Sequence, residues 1–135
     1  MKQLLPATRP DVGLLILRVA LAVVVLFHGV FKVAHGVEWI KGPLAHAGLP
    51  GFLAYGAYFA EIVAPILLLF GAWTRVAALV VVFDMASALG LVLRDQLFQV
   101  KASGGGWGVE IEAMILLTAL ALAFTGGGRY SAVRD

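Results

Sequence analysis

The sequence predicts an all-α fold: an integral membrane protein built as an antiparallel four-helix bundle with a polar interior. Three observations predict it. The 135 residues are 61% hydrophobic and only 13% charged, with a mean hydropathy of +0.97; soluble domains run at about 45–50% apolar and about 25% charged. Four apolar runs each approach the roughly 20 residues that a helical span needs. Ionisable residues fall inside those runs, where a charge in hydrocarbon is costly and calls for a partner or a task.

The first run, about Val12 to Ala34, contains LRVALAVVVLFHGVFK, with Arg18, His28 and Lys32 among its apolar residues. The segment Met1 to Gly13 is basic and then apolar, like a signal peptide. No small-residue cleavage site follows and three more apolar runs do, so a retained first span is expected. The second run, about Phe52 to Trp73, carries Glu61 near its middle and Pro65 four residues later. A proline has no N–H for the carbonyl four residues back, so the Glu61 carbonyl should be freed from the helix ladder. Only Thr74 and Arg75 separate this run from the third, about Val76 to Leu93, which predicts a tight antiparallel hairpin. The third run holds Asp84 near its middle, on a face shared with Ala77 and Ala88 that suits close packing. The fourth, about Gly108 to Phe124, opens on Glu110 and Glu112.

The connections read as loops. His35 to Gly51, with Trp39, Pro43, Gly48 and Pro50, is expected at the membrane surface. Arg94 to Trp107 ends in Gly104-Gly105-Gly106, a flexible lead into the fourth helix. No Lys-Ser or Lys-Thr follows that triplet, so it is no phosphate cradle. Gly126-Gly127-Gly128 ends the fourth helix, with Arg129 placed to favour its carbonyl end. No internal repeat is evident, and residues 1–135 are expected to form one four-helix domain.

On a helix, Arg18 and Lys32 fall within about 40° of each other, and His28 within about 80° of Arg18. One face of the first span is therefore basic at three depths, and the other spans supply acids. At about 1.5 Å per residue, His28 and Glu112 both lie roughly 6–7 Å to the outer side of the midplane, with Glu61 and Asp84 close to it. Arg18 lies on the inner side, from where its long side chain is expected to reach an acid. The basic face should thus point inward, at the acids of the other helices. Arg18, His28, Lys32, Glu61, Asp84 and Glu112 are the candidate ligand or proton-site residues, and either Glu110 or Glu112 is the acid that faces inward. The competing expectation is that these charges only pair and hold helix register. Against it, two fixed cations meet four acids, and such an excess suits proton exchange or a polar ligand head.

Other chemistries lack their residues. With no cysteine there are no disulfides, thiol relays or iron–sulfur ligands. A bis-histidine haem site is not available within the bundle, since His35 and His46 belong to the outer loop. No Glu-x-x-His pair accompanies the acids, so no metal is expected. The net charge of +2 is spread over single residues at segment ends, which argues against nucleic acid and for membrane orientation.

Several stretches carry a resemblance to a family. Arg18, Phe27-His28-Gly29 and Lys32, then Gly48-Leu49-Pro50 and the central Glu61, come in an order that resembles the DoxX family of membrane proteins. So do Gly71-Ala72-Trp73-Thr74-Arg75 at the hairpin and Gly126-Gly127-Gly128-Arg129-Tyr130-Ser131 at the close. Asp84 has no counterpart in that pattern. The resemblance implies a four-helix bacterial inner-membrane protein, described either as an oxidoreductase or as a subunit linked to quinone-dependent sulfur oxidation. Related members imply a role as partners or assembly factors for other membrane proteins.

The expected function is therefore to serve an oxidoreductase system, as an enzyme or a subunit, by binding quinone or a similar lipid-soluble molecule. An apolar slot with carbonyl donors (His28, Lys32, Arg18) and proton-exchanging acids (Glu61, Glu112) provides that chemistry. No haem, flavin or iron–sulfur motif is present, so a cofactor, if any, is left open. The expected partners are the lipid bilayer and either further copies of the chain or a membrane redox protein. The alternatives are a non-enzymatic assembly or scaffold subunit, and an oligomeric proton-coupled transporter. Lys2, Arg9, Arg75, Arg129 and Arg134 on one side outnumber Lys41, Arg94 and Lys101 on the other, which predicts cytoplasmic termini. A reporter fused after Asp135 should be active only in its cytoplasmic form, and periplasmic activity would reverse the orientation.

Overall fold

The computed structural model describes residues 7–135, and every regular element among them is helical. Helix α1 spans Pro10–His35. Proline suits its first turn, where the N–H has no acceptor, and Lys32 and His35 complement the negative end of its dipole. Helix α2, Glu38–His46, follows at once. Helix α3, Gly51–Phe70, reverses direction, α4 covers Thr74–Leu91 and α5 covers Glu110–Thr125. Helices α1, α3 and α4 are long and apolar enough to cross a membrane. With 16 residues, α5 is about 24 Å long; it packs along α4 and closes the bundle.

The surface is that of a protein solvated by lipid. Ile16, Phe70, Phe83 and Phe124 are 62%, 67%, 77% and 79% exposed, an outward apolar belt that suits hydrocarbon. The interior is small-residue packing. Ala22, Ala64, Ala77, Ala78 and Ala119 interleave with Leu21, Val25, Leu68, Val81 and Leu122 in one buried cluster. Without a hydrophobic driving force between helices in lipid, such close backbone approach supplies the contact energy.

Helix α3 changes pitch along its length. It is 3₁₀ over Gly51–Tyr55, α over Gly56–Tyr58, π over Phe59–Val63 and α again from Ala64 to Phe70. The wide turn ends just before Pro65, which has no N–H for the Glu61 carbonyl. Helix α1 meets that carbonyl at Gly29. A β-carbon at residue 29 would overlap the Glu61 carbonyl oxygen and crowd the Ile62 side chain, so glycine sets the approach of the two helices there.

The region His35 to Gly51 is not simply a loop, as expected, because α2 occupies its centre. Val37, Ile40 and Leu44 recur at helical spacing, and Val37 and Leu44 bury against Ala54, with Ile40, Ala57, Tyr58 and Leu91 alongside. Residues Gly104 to Gly106 are likewise more than an open lead. Gly104 and Gly105 have φ of 82° and 72°, and the Lys101 N–H donates to the Gly106 carbonyl at 2.6 Å. Together they turn a short hairpin closed by a Val100–Trp107 bridge. The positive φ explains the glycines.

The other end of the bundle is closed by the C-terminal segment. Arg18, 1% exposed, donates to the carbonyls of Gly127 and Tyr130 and to Ser131 Oγ, all at 2.9–3.0 Å. The hairpin Gly71 joins this cluster, with its φ of 70° and the Ser131 backbone packed against it. Arg75 Nε, and not the Arg129 side chain, donates to a carbonyl near the end of α5, that of Ala123, at 2.7 Å. The Arg129 backbone N–H instead donates to Asp11 at 3.0 Å. Lys2 lies outside the described residues.

Two substitutions probe these contacts. Gly29→Ala should lower the melting temperature in detergent, because overpacking costs about 1–3 kcal/mol and outweighs alanine's helix preference of about 1 kcal/mol. A melting temperature equal to wild type would refute the contact. Arg18→Lys cannot hold three acceptors in one plane, so the segment after α5 should become accessible to carboxypeptidase while the core helices stay protected.

Candidate functional site

Beside the alanine-rich core the bundle is hollow, along α4 from Val76 to Leu91. A cavity of about 1220 Å³ lies between α1, α3 and α4, with α2 and the start of α3 over the end nearest the C-terminus of α1. Trp39, Ile40 and Leu44 of α2, with Leu49 and Leu53, form part of its wall. Phe27, Phe31, Phe59 and Phe83 line it and are 73%, 54%, 55% and 77% exposed. The cavity therefore opens sideways, through aromatic residues, onto the face that lipid would cover.

The polar residues of the cavity are His28, Lys32, Glu61, Asp84, Ser87 and Glu112. They come from four helices, each for a simple reason. His28 and Lys32 are four apart on α1 and so share its face. Glu61 projects from the wide turn of α3. Asp84 lies on α4 one turn above the buried Val81. Glu112 is half-buried in the first turn of α5. Glu110, two residues away, faces the opposite side and reaches Lys101 at 3.8 Å, so Glu112 is the inward acid.

Two layers can be told apart. Lys32 and Glu61 form an ion pair in which the lysine side chain is 16% exposed and the glutamate 0%. Glu61 thus stands behind Lys32, which presents its ammonium to the cavity. The other Glu61 oxygen, Oε1, has no hydrogen-bond partner among the described residues. Tyr58 Oη donates to the Lys32 carbonyl at 3.3 Å and ties α3 to the same turn of α1. His28, Asp84 and Glu112 are half-buried, and their side chains make no hydrogen bond among the described residues. They are the groups a ligand would meet first.

Arg18 does not belong to this site. It lies 14 residues before Lys32, about 21 Å along the helix, and its hydrogen bonds go to the C-terminal segment instead of to Glu61 or Asp84. Three convergent oxygen acceptors take up its two terminal nitrogens, while Nε is buried without a partner among the described residues. The sequence reading missed α2 as a wall of the cavity. The spacing of Val37, Ile40 and Leu44 was the available signal, broken visually by Gly42-Pro43.

Outside the cavity, Lys41 clamps α2 to α3. Its ammonium donates to Glu38 at 2.9 Å and to Tyr55 Oη at 3.1 Å, and lies 4.9 Å from the Tyr55 ring centre. The hydrogen bond from Lys41 holds the Glu38 carboxyl below its ordinary value, and those to Tyr55 and Glu38 raise Lys41. A shallow groove of about 400 Å³ runs between α1 and α5, lined by Leu17, Leu21, Val24, Ile111, Met114 and Thr118 among others.

Comparison with known proteins agrees with this architecture. A Bacillus subtilis (strain 168) protein described as "Putative oxidoreductase CatD" is 30% identical over 116 residues, which cover 86% of this chain and 81% of that protein. No solved structure matches. The DoxX family model matches residues 13–94, from the first turn of α1 through α4 and with it every polar cavity residue except Glu112. The chain belongs to the DoxX family.

Proposed function

We propose that the chain is a bacterial inner-membrane protein, with both termini in the cytoplasm, that serves an oxidoreductase system by binding a quinone or similar lipid-soluble small molecule. The observation that carries this reading is a single cavity with aromatic sides open to lipid and an ionisable wall at its depth. A quinone needs that combination: an apolar slot for its ring and donors for its carbonyls. The relative described as an oxidoreductase supports the reaction class.

In this reading Lys32 and His28 donate to a ligand carbonyl. Glu61 is a positioning residue that holds the Lys32 ammonium at the wall. Asp84 and Glu112 exchange protons with the ligand, Glu112 from the outer end of α5. The chain has no cysteine to carry electrons, so these come from the ligand or from a partner redox protein. A second reading, an assembly subunit with a structural core, has one observation in its favour: the Lys32–Glu61 pair beside the Gly29 contact joins α1 to α3 with no ligand required.

His28→Gln separates the two readings, because His28 faces the cavity and holds no other residue. The variant should melt within a few degrees of wild type in detergent and bind a short-chain ubiquinone analogue about tenfold more weakly, the worth of one hydrogen bond to a polar head. Glu61→Gln should lose both stability and binding, since it leaves the Lys32 charge buried without its partner. Wild-type binding of the analogue by both variants, or none by the native protein, would favour the assembly reading.

A further inference from the structure

We infer that the cavity binds the reduced, hydroxyl-bearing form of a quinone-type ring in preference to the oxidised, carbonyl-bearing form. This inference rests on the quinone reading and adds a redox preference to it. The argument is an inventory of donors and acceptors on the cavity wall.

Lys32 brings the one fixed positive charge among the polar lining residues, and Glu61 already engages it from behind. Beside that ammonium, the wall offers a ligand His28, Glu61 Oε1 and the carboxyls of Asp84 and Glu112, none of which is hydrogen-bonded to a described residue. An ionised carboxylate, the form able to take a proton from a bound hydroxyl, only accepts hydrogen bonds. Carbonyl oxygens also only accept. An oxidised ring can therefore accept from Lys32 or His28, which share one face of α1, but the oxygen at its other end is set against acceptors. A hydroquinone has an O–H at each of those positions. It can accept from Lys32 or His28 at one end and donate to Asp84 or Glu112 at the other, so both kinds of wall group are matched.

Location makes the mismatch matter. Away from water an unmatched acceptor keeps its full desolvation cost. The rest of the wall is mostly apolar, with Phe27, Phe31, Phe59 and Phe83 offering the ring a surface. The Ser87 hydroxyl donates to the Phe83 carbonyl at 2.8 Å, and the Trp39 indole of α2 is a further donor on the lining. Asp84 is on α4 and Glu112 on α5, while Lys32 is on α1. The acceptors and the donor thus come from different walls, as a ring with oxygens at opposite ends requires.

The test is anaerobic binding of a decyl-benzoquinone analogue and of its chemically reduced hydroquinone to the full chain in lipid nanodiscs. Wild type should bind the reduced analogue about tenfold more tightly, the worth of one charge-assisted hydrogen bond. Tighter binding of the reduced form raises the two-electron potential of the bound couple by about 30 mV for each tenfold preference, which gives a second readout. Asp84→Asn and Glu112→Gln keep the side-chain shape and add an N–H donor. At least one of them should reduce the preference to about threefold or less, mainly through a gain by the oxidised analogue. Equal binding of both analogues to wild type, tighter binding of the oxidised one, or a preference that survives in both variants would overturn the inference and leave the quinone reading intact. Failure of wild type to bind either analogue would remove the quinone reading and this inference together.

Discussion

The Lys32–Glu61 ion pair is the contact around which the rest of the bundle is arranged. Removing two charges from water costs several kcal/mol per ion even after relaxation, so such a pair persists only where its surroundings hold it in good geometry. Here three backbone features do so. Pro65 has no N–H for the Glu61 carbonyl and follows a wide turn in α3. Gly29 lets α1 approach that same carbonyl. Tyr58 bonds the Lys32 carbonyl from the turn before. The side chains meet because the backbones are already close. Loosening any of these contacts would move a charge as well as a helix.

This arrangement divides the molecule into two unlike halves. Below the pair, alanines and valines fill the space between helices and Arg18 locks the C-terminal segment against the hairpin. The cavity lies between α1, α3 and α4, reaching along α4 from Val76 to Leu91, and α2 forms part of its wall. A packed half beside an open one gives the site a rigid support. Its polar groups rise from regular helices, which hold a geometry better than loops do. The open half keeps exposed aromatic residues at its sides.

Much of this was legible in the sequence, and the exceptions have physical causes. The four apolar runs each became a helix, and three of them are long and apolar enough to span, because bilayer thickness leaves little freedom in a span. The inward face of α1 followed from helical spacing, and so did the meeting of Glu61 with a base of that face, though spacing alone did not single out Lys32. Arg18 did not follow. A buried arginine suggests a carboxylate, yet here backbone carbonyls and Ser131 take up its terminal nitrogens, and nothing in the sequence says that the chain returns past α5 to supply them. The choice between Glu110 and Glu112 also needed the structure, because both open the same helix and only its rotation separates them. Helix α2 was hidden by Gly42-Pro43, although the apolar spacing around that pair was helical throughout.

The charge count shows which part of the polar core is structural. A network whose purpose is to hold helices together needs each buried charge matched, since an unmatched one works against the fold. Lys32 with Glu61 and Arg18 with its three acceptors come nearest to that standard, with Glu61 Oε1 and Arg18 Nε left unbonded among the described residues. His28, Asp84 and Glu112 do not, for they line a cavity and bond to no described residue. Their position is costly for a scaffold and useful for a binding site. The division falls along α1 itself: Arg18 secures its inner end, Lys32 joins it to α3, and His28, one turn below Lys32, is left facing the space that a ligand would fill.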